Sequence, residues 1–277
     1  MKKIFLLISI TFILITFFSN GTSSSTITWQ KLQNGLEYAL IDAAVKSSHG
    51  DSKIDILRFD PKKFKLNLLC AAEKKTKSKT MDLWCKENNA IAGINAGMFQ
   101  LSGSFDVCTG YMKNYNYVNN PILTSSYKNI LAFNPKDSLV PPIQIIDITC
   151  ANWSDLKNKY NSFAQGIRMM DCNQKNTWKL QEKKWSMVTI GEDQGGNILF
   201  IFSRSPYKVH DYINMLKSTP LHLKKMMYLE GGPEASFYLK DTALSVQRCG
   251  SYETDFNEND SNKVYWDIPN VLALSKK

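Results

Sequence analysis

Met226-Met227-Tyr228-Leu229-Glu230-Gly231-Gly232-Pro233-Glu234-Ala235-Ser236-Phe237-Tyr238 is the stretch on which the reading of this chain turns. The apolar run ending at Leu229 reads as a buried strand that delivers a carboxylate, Glu230, onto a glycine pair. Glycine reaches backbone angles and close approaches closed to other residues. A Gly-Gly pair at a strand end can therefore aim backbone N–H groups at an anion. A carboxylate beside such a seat is costly unless chemistry or binding needs it. The plainer alternative is a tight turn that happens to follow a glutamate.

Outward from this stretch, strand signals dominate. Lys53–Phe59 places Ile54, Ile56 and Arg58 on one side, Asp60-Pro61-Lys62-Lys63 is a turn, and Phe64–Cys70 returns with Phe64, Leu66 and Leu68 alternating. The pair reads as a β-hairpin. Thr80 is placed to cap a short helix over 81–88 that stops near Asn88-Asn89. Ala90–Asn95 reads as a buried strand and Leu139–Ile148 as another, with a helix from Asn152 or Ser154 to Tyr160. Trp185–Gly191 and Asn197–Phe202 flank a glycine turn and form a hairpin. Ser205-Pro206 is a helix start, with Pro at the first helical position, and Val209, Tyr212, Ile213 and Leu216 follow at helical spacing. Strands continue over Ser236–Leu239, Leu244–Gln247 and Pro269–Leu274. No βαβ rhythm emerges, so the expected class is α+β: a single domain around a mixed, largely antiparallel β-sheet with flanking helices.

The chain has 277 residues and a formal charge of +9. Lys2-Lys3, the apolar run Ile4–Phe18 and the small or polar Ser19-Asn20-Gly21 read as a signal peptide over 1–21. Its apolar run is short for a membrane span, which needs about 20 residues. The expected organisation is signal 1–21, an N-terminal linker and lead-in over 22–49, and the folded domain over 50–277. The lysines are scattered apart from Lys74, Lys75, Lys77 and Lys79, and no nucleic-acid-binding signature accompanies them. Six widely spaced cysteines, Cys70, Cys85, Cys108, Cys150, Cys172 and Cys249, include no Cys-x-x-Cys. They read as up to three bridges or as buried thiols, not as a zinc site. Three dispersed histidines make no metal centre, His210 is expected to be structural, and nothing in the sequence demands a cofactor.

Polar groups gather at strand ends: Asn95 before Ala96-Gly97, Arg168 after Gly166-Ile167, Glu192-Asp193 at a turn, Arg204 beside Ser205, and Glu230. Arginine grips phosphate in a planar fork. Each also has a structural reading: Arg168 paired to a carboxylate, Arg204 as a surface charge, Asp193 shaping its turn. Together they suggest a cleft that handles sugar and phosphate.

The order Ile94-Asn95-Ala96-Gly97-Met98-Phe99, Gly110-Tyr111, Ile167-Arg168-Met169, Gly191-Glu192-Asp193, Gly196–Phe200 and Tyr228–Pro233 resembles the phosphodiester glycosidase family over about residues 50–275. The two ends carry the specificity: the Asn-Ala-Gly-Met-Phe opening and the Leu-Glu-Gly-Gly close. The resemblance implies a hydrolase of the bond between a sugar anomeric carbon and a phosphodiester, with a carbohydrate or glycosyl-phosphate substrate. By that implication Glu230, Asp193 and Glu192 are catalytic, while Asn95, Gly97, Arg168, Arg204, Gly231 and Gly232 bind substrate. Arg168 or Arg204 would keep Glu230 ionised, and Asn95, Arg168 and Glu230 would converge. Two departures stand out: Glu230 where the family usually has Asp, and Pro233 where it often has Gly. They leave open a non-catalytic glycan- or phosphate-binding envelope protein on the same fold.

Overall fold

The computed structural model describes residues 26–102 and 105–277; the expected signal peptide lies outside them. Its larger, eleven-stranded sheet runs in the order β1 (Gln30–Gln33), β2 (Leu36–Asp42), β3 (Lys53–Phe59), β14 (Ile198–Tyr207), β13 (Trp185–Asp193), β15 (Leu223–Gly231), β12 (Tyr160–Arg168), β10 (Lys128–Pro135) and β11 (Ile143–Asp147). β8 (Met112–Asn114) pairs with β12, and β9 (Tyr117–Asn120) with β8. The smaller, five-stranded sheet runs β17 (Ser245–Cys249), β16 (Ser236–Lys240), β5 (Ala92–Asn95), β18 (Asn270–Lys276), β4 (Phe64–Cys70). β6 (Phe99–Ser102) and β7 (Phe105–Cys108) pair separately. Every named strand pairing among the described residues is antiparallel, so the largely antiparallel expectation stands and its mixed component does not.

The sheets pack face to face. Along β3, Leu57 and Phe59 enter the core between the sheets, whereas Ile54 and Ile56 face the helix α3 (Val209–Lys217) on the outer side. β14 splits the same way, Phe200 and Phe202 inward and Leu199 and Ile201 outward. That double cover explains an unbroken apolar run in an antiparallel sheet, where one solvated face would impose alternation. α1 (Met81–Glu87) covers the far side of the smaller sheet through Met81, Trp84 and Cys85. The short α2 (Trp153–Leu156), capped by Asn152, lies over β10 and β12. A buried network joins the two sheets: Asp55 on β3 accepts from Tyr38 at 2.6 Å and from Arg248 of β17 at 3.2 Å. No helix among the described residues is long and apolar enough to cross a membrane.

Three local expectations change. Lys53–Phe59 and Phe64–Cys70 are strands, but not a hairpin. β3 is bonded on both edges by β2 and β14, so the Asp60–Lys63 turn carries the chain into the other sheet, where β4 pairs with β18. Ser205-Pro206 does not start the helix: both residues extend β14, and α3 begins after Lys208. The segment expected as a linker contributes β1 and β2 to the large sheet.

Candidate active site

β15 ends in Glu230 and Gly231, and the chain then turns through a single 3-10 turn, Gly232–Glu234. Gly232 sits at φ 63°, in the left-handed region, and a Cβ there would overlap Glu253 Oε2. The left-handed backbone angle favours glycine at this position. Asn95, buried at the end of β5, ties the turn down: its Nδ2 donates to Glu234 O at 3.0 Å, and its Oδ1 accepts from Ser236 N at 2.8 Å. Asn95 and the Gly-Gly turn therefore meet, with the asparagine acting on backbone. Gly97 follows with φ 145°, its missing side chain leaving room for Cys108 Sγ.

Three carboxyls collect around the turn. Glu230 is 9% exposed, and its Oε1 accepts from the Gly231 N–H at 3.1 Å, which takes that amide away from any phosphate. Burial pushes the Glu230 carboxyl well above the usual range; the Gly231 bond opposes this, and the charges of Glu234 and Glu253 add to the rise. Glu234 and Glu253 are also raised, chiefly by burial, and Lys183 pulls Glu253 back down. Among the described residues no cation pairs with Glu230, so the expected arginine partner is not in place. An aromatic wall stands beside the acids: Tyr228 has Trp178 at 5.5 Å and Trp185 at 6.3 Å between ring centroids. Burial and then the charges of Glu230 and Glu253 raise the Tyr228 phenol, which puts the wall and the acids in one environment. The indole Nε1 of Trp185 is buried without a hydrogen-bond partner among the described residues.

The other expected polar side chains are engaged with other partners. Val188 of β13 is opposite Glu230, and Glu192 is four residues further along, about 14 Å of strand. There Glu192 Oε2 accepts from Ile145 N at 3.3 Å and from Lys225 Nζ at 3.2 Å, while Lys225 Nζ also donates to Ile145 O at 2.6 Å. These two side chains bond the backbone of Ile145 on β11, the edge strand of this sheet among the described residues. Asp193 shapes its turn by accepting from Asn197 N and Nδ2, both at 2.9 Å. Neither acid joins Glu230. Arg168 is held by Asp147 at 3.0 Å and Thr149 at 2.9 Å, beside the Cys150–Cys172 disulfide. Arg204 donates to the carbonyls of Cys249, Asp260 and Asn262 at 2.7, 3.1 and 2.7 Å and pairs with Asp260. Its fork is spent on the 249–262 loop, the loop that carries Glu253. The structural readings of Arg168 and Asp193 thus describe them as they stand, whereas Arg204 is not the expected surface charge but a largely buried brace of the 249–262 loop.

Glu234 and Glu253 were not singled out by the sequence. Glu234 lies within the decisive stretch and its carboxylate three positions after Gly231 was a usable signal. Glu253 comes from a loop whose approach no spacing reveals. Among the described residues, Asp147, Cys150 and Cys172 bring possible metal-ligand atoms within 4.8 Å of one another, but the two sulfurs are bonded together, and it is the thiolate that ligates metal. Cys70, Cys85 and Cys108 are buried thiols, and Cys249 is a half-buried one. His210 is a partly exposed side chain near Asp211 and Asn214.

Residues 88–275 match the family model for phosphodiester glycosidase. No curated protein matches the chain. Among solved structures, a hypothetical protein from Synechocystis superposes with a TM-score of 0.63 at 10% identity, covering 92% of this chain; this chain spans 64% of that one. The zebrafish N-acetylglucosamine-1-phosphodiester alpha-N-acetylglucosaminidase catalytic domain, auto-inhibited by its pro-peptide, superposes with a TM-score of 0.58 at 12% identity, covering 90% of this chain and 86% of that one. At these identities the likeness is one of fold.

Proposed function

The chain belongs to the phosphodiester glycosidase family, and from that premise we propose that it is an exported hydrolase acting on a glycosyl phosphodiester at the Glu230–Glu234–Glu253 cluster. The observation that carries this reading is the Glu230 carboxyl, buried beside Glu234 and Glu253 with no paired cation among the described residues, so that its pKa is raised and the protonated form is favoured. Carboxyls whose environments push their pKa values apart divide into acid and base. Glu230 is the acid. It protonates the bridging oxygen as the bond to the anomeric carbon breaks, and the phosphate departs as a monoester. Glu253, the one of the three with a lysine pulling its pKa down, takes a proton from the water that attacks the anomeric carbon. The sum is one water consumed, with its hydroxyl on the sugar and a proton on the phosphate. The Trp178–Tyr228–Trp185 wall suits the apolar face of a sugar ring, in keeping with the apolar lining of most ligand sites. Asn95 acts as a positioning residue by holding the turn. The basic, then apolar N-terminus and the Cys150–Cys172 disulfide both support export.

The test is release of phosphomonoester and free sugar from a panel of α- and β-linked sugar-1-phosphodiesters. Turnover by the wild type is expected, with Glu230→Gln and Glu253→Gln each losing at least about 100-fold in kcat. A folded protein that binds these compounds without turning any over would favour the non-catalytic glycan-binding reading instead.

A further inference from the structure

The hydroxyl of Tyr228 is unspent. Its ring packs between Trp178 and Trp185, yet the residue keeps 5% of its surface exposed. The Oη takes no hydrogen-bond partner among the described residues, and unlike the neighbouring Trp185 Nε1 it is not sealed from solvent. The Trp185 N–H approaches that oxygen without completing a bond, so the phenolic proton is uncommitted. Around it Trp178, Trp185, Glu234 and Glu253 are all partly exposed, which leaves this side of the turn open.

A Cβ at Gly231 would fall 2.2 Å from Tyr228 Oη, so the hydroxyl lies against the Gly231 backbone. Glu230 Oε1 accepts from the N–H of that same residue at 3.1 Å. With standard backbone lengths the two oxygens are no more than about 8 Å apart. One phosphodiester spans that gap. Its bridging oxygen accepts from the Glu230 carboxyl and a non-bridging oxygen accepts from the phenol, each bond about 2.7 Å long.

The expected anion-binding donors are committed: the Gly231 N–H to Glu230, Arg168 to Asp147, and Arg204 to the 249–262 loop. The donor that takes their place also has to be uncharged. A cation within about 4–6 Å of Glu230 would favour its carboxylate and remove the proton that an acid must give. A phenol holds an anion without that effect. Burial and the charges of Glu230 and Glu253 keep the Tyr228 phenol well above its ordinary pKa, so it remains a donor throughout the neutral range.

We propose that Tyr228 is the phosphate-binding residue of this site, its hydroxyl donating to a non-bridging oxygen of the glycosyl phosphodiester while its ring stays in the sugar-facing wall. The assignment rests on the hydrolase reading above. The test is Tyr228→Phe, which keeps the ring and removes only an unpartnered hydroxyl. Binding is measured by calorimetry in proteins that also carry Glu230→Gln, so that the ligand is not consumed. The probes are methyl phosphodiesters of α- and β-linked sugar 1-phosphates, with the corresponding methyl glycosides as controls that lack the phosphate. The expected result is phosphodiester binding weakened about tenfold or more by Tyr228→Phe, as for a lost hydrogen bond to a charged group. With Glu230 intact, kcat/KM should fall at least as far. Methyl glycosides should be held equally by both proteins, and the melting temperature of Tyr228→Phe should match or exceed the wild type. Equal phosphodiester affinities would overturn the assignment while leaving the hydrolase reading in place. A matching loss for the methyl glycosides would give the hydroxyl to the sugar, and a lowered melting temperature would make it structural; either overturns the proposal. No binding of any phosphodiester with Tyr228 intact would sink the hydrolase reading and this one with it.

Discussion

Replacing Glu230 by glutamine should flatten the pH dependence of stability, and this can be measured before any substrate is known. In the folded chain the Glu230 carboxyl keeps its proton well above the ordinary carboxylate range, because burial beside Glu234 and Glu253 penalises the anion. In the unfolded chain it loses that proton near pH 4.3. A raised folded pKa gives stability that is fully present below the unfolded pKa and is lost as pH rises toward the folded one. Between the two, the folded state binds one more proton than the unfolded state. Stability then falls by about 1.4 kcal/mol per pH unit from this group alone. Glutamine has the same shape and no proton to lose, so the variant should lack that slope and gain on the wild type as pH rises above about 4.3. The assay is urea unfolding of both proteins at half-unit pH steps, reading the midpoint and slope at each. Parallel curves for the two proteins would mean that Glu230 is ionised in the folded state, which would refute both the linkage argument and its assignment as the acid.

Three further outcomes follow from named contacts. Glu192→Ala removes the acceptor for Ile145 N and the partner of Lys225 and should cost about 1–3 kcal/mol; denaturant unfolding checks the loss, and specific activity of the folded fraction should not change. Gly232→Ala must place a Cβ against Glu253 at φ 63°, costing at least about 1–2 kcal/mol from the backbone alone, and the melting temperature should fall accordingly. Arg204→Met releases the carbonyls of Cys249, Asp260 and Asn262 and should cost at least about 1.5 kcal/mol. Its cleavage by protease should appear first within 249–262, and turnover should fall with it because that loop carries Glu253; intact resistance there would refute the bracing role.

Much of the strand content was legible locally. Runs such as Ile198–Phe202 and Lys53–Phe59 announce strands by side-chain type and alternation, and the boundaries of β3 and β4 are those read from the residues. Partnership was not legible. Whether Asp60–Lys63 closes a hairpin or crosses between sheets depends on which distant strands already occupy both edges of β3. Ser205-Pro206 shows the same limit: a good helix start by local chemistry is overridden because β14 pairs with β13 as far as Tyr207.

The site divides along the same line. The strand-to-glycine junction at Glu230–Gly232 and the role of glycine there follow from the sequence, because backbone angle and steric room are local properties. So does the family, because its motifs are short and contiguous. Which charges meet Glu230 was decided by tertiary structure alone. Arg168, Glu192 and Asp193 are the right residue types at strand ends and Arg204 lies within β14, but strands have two ends and two faces, and the register of β13 against β15 sends Glu192 to the far end of β15 from Glu230. Glu253 arrives instead from a loop that is remote in sequence and pinned by Arg204. A carboxyl's protonation depends on desolvation and on neighbours within a few ångströms, and neither quantity exists until the chain has folded.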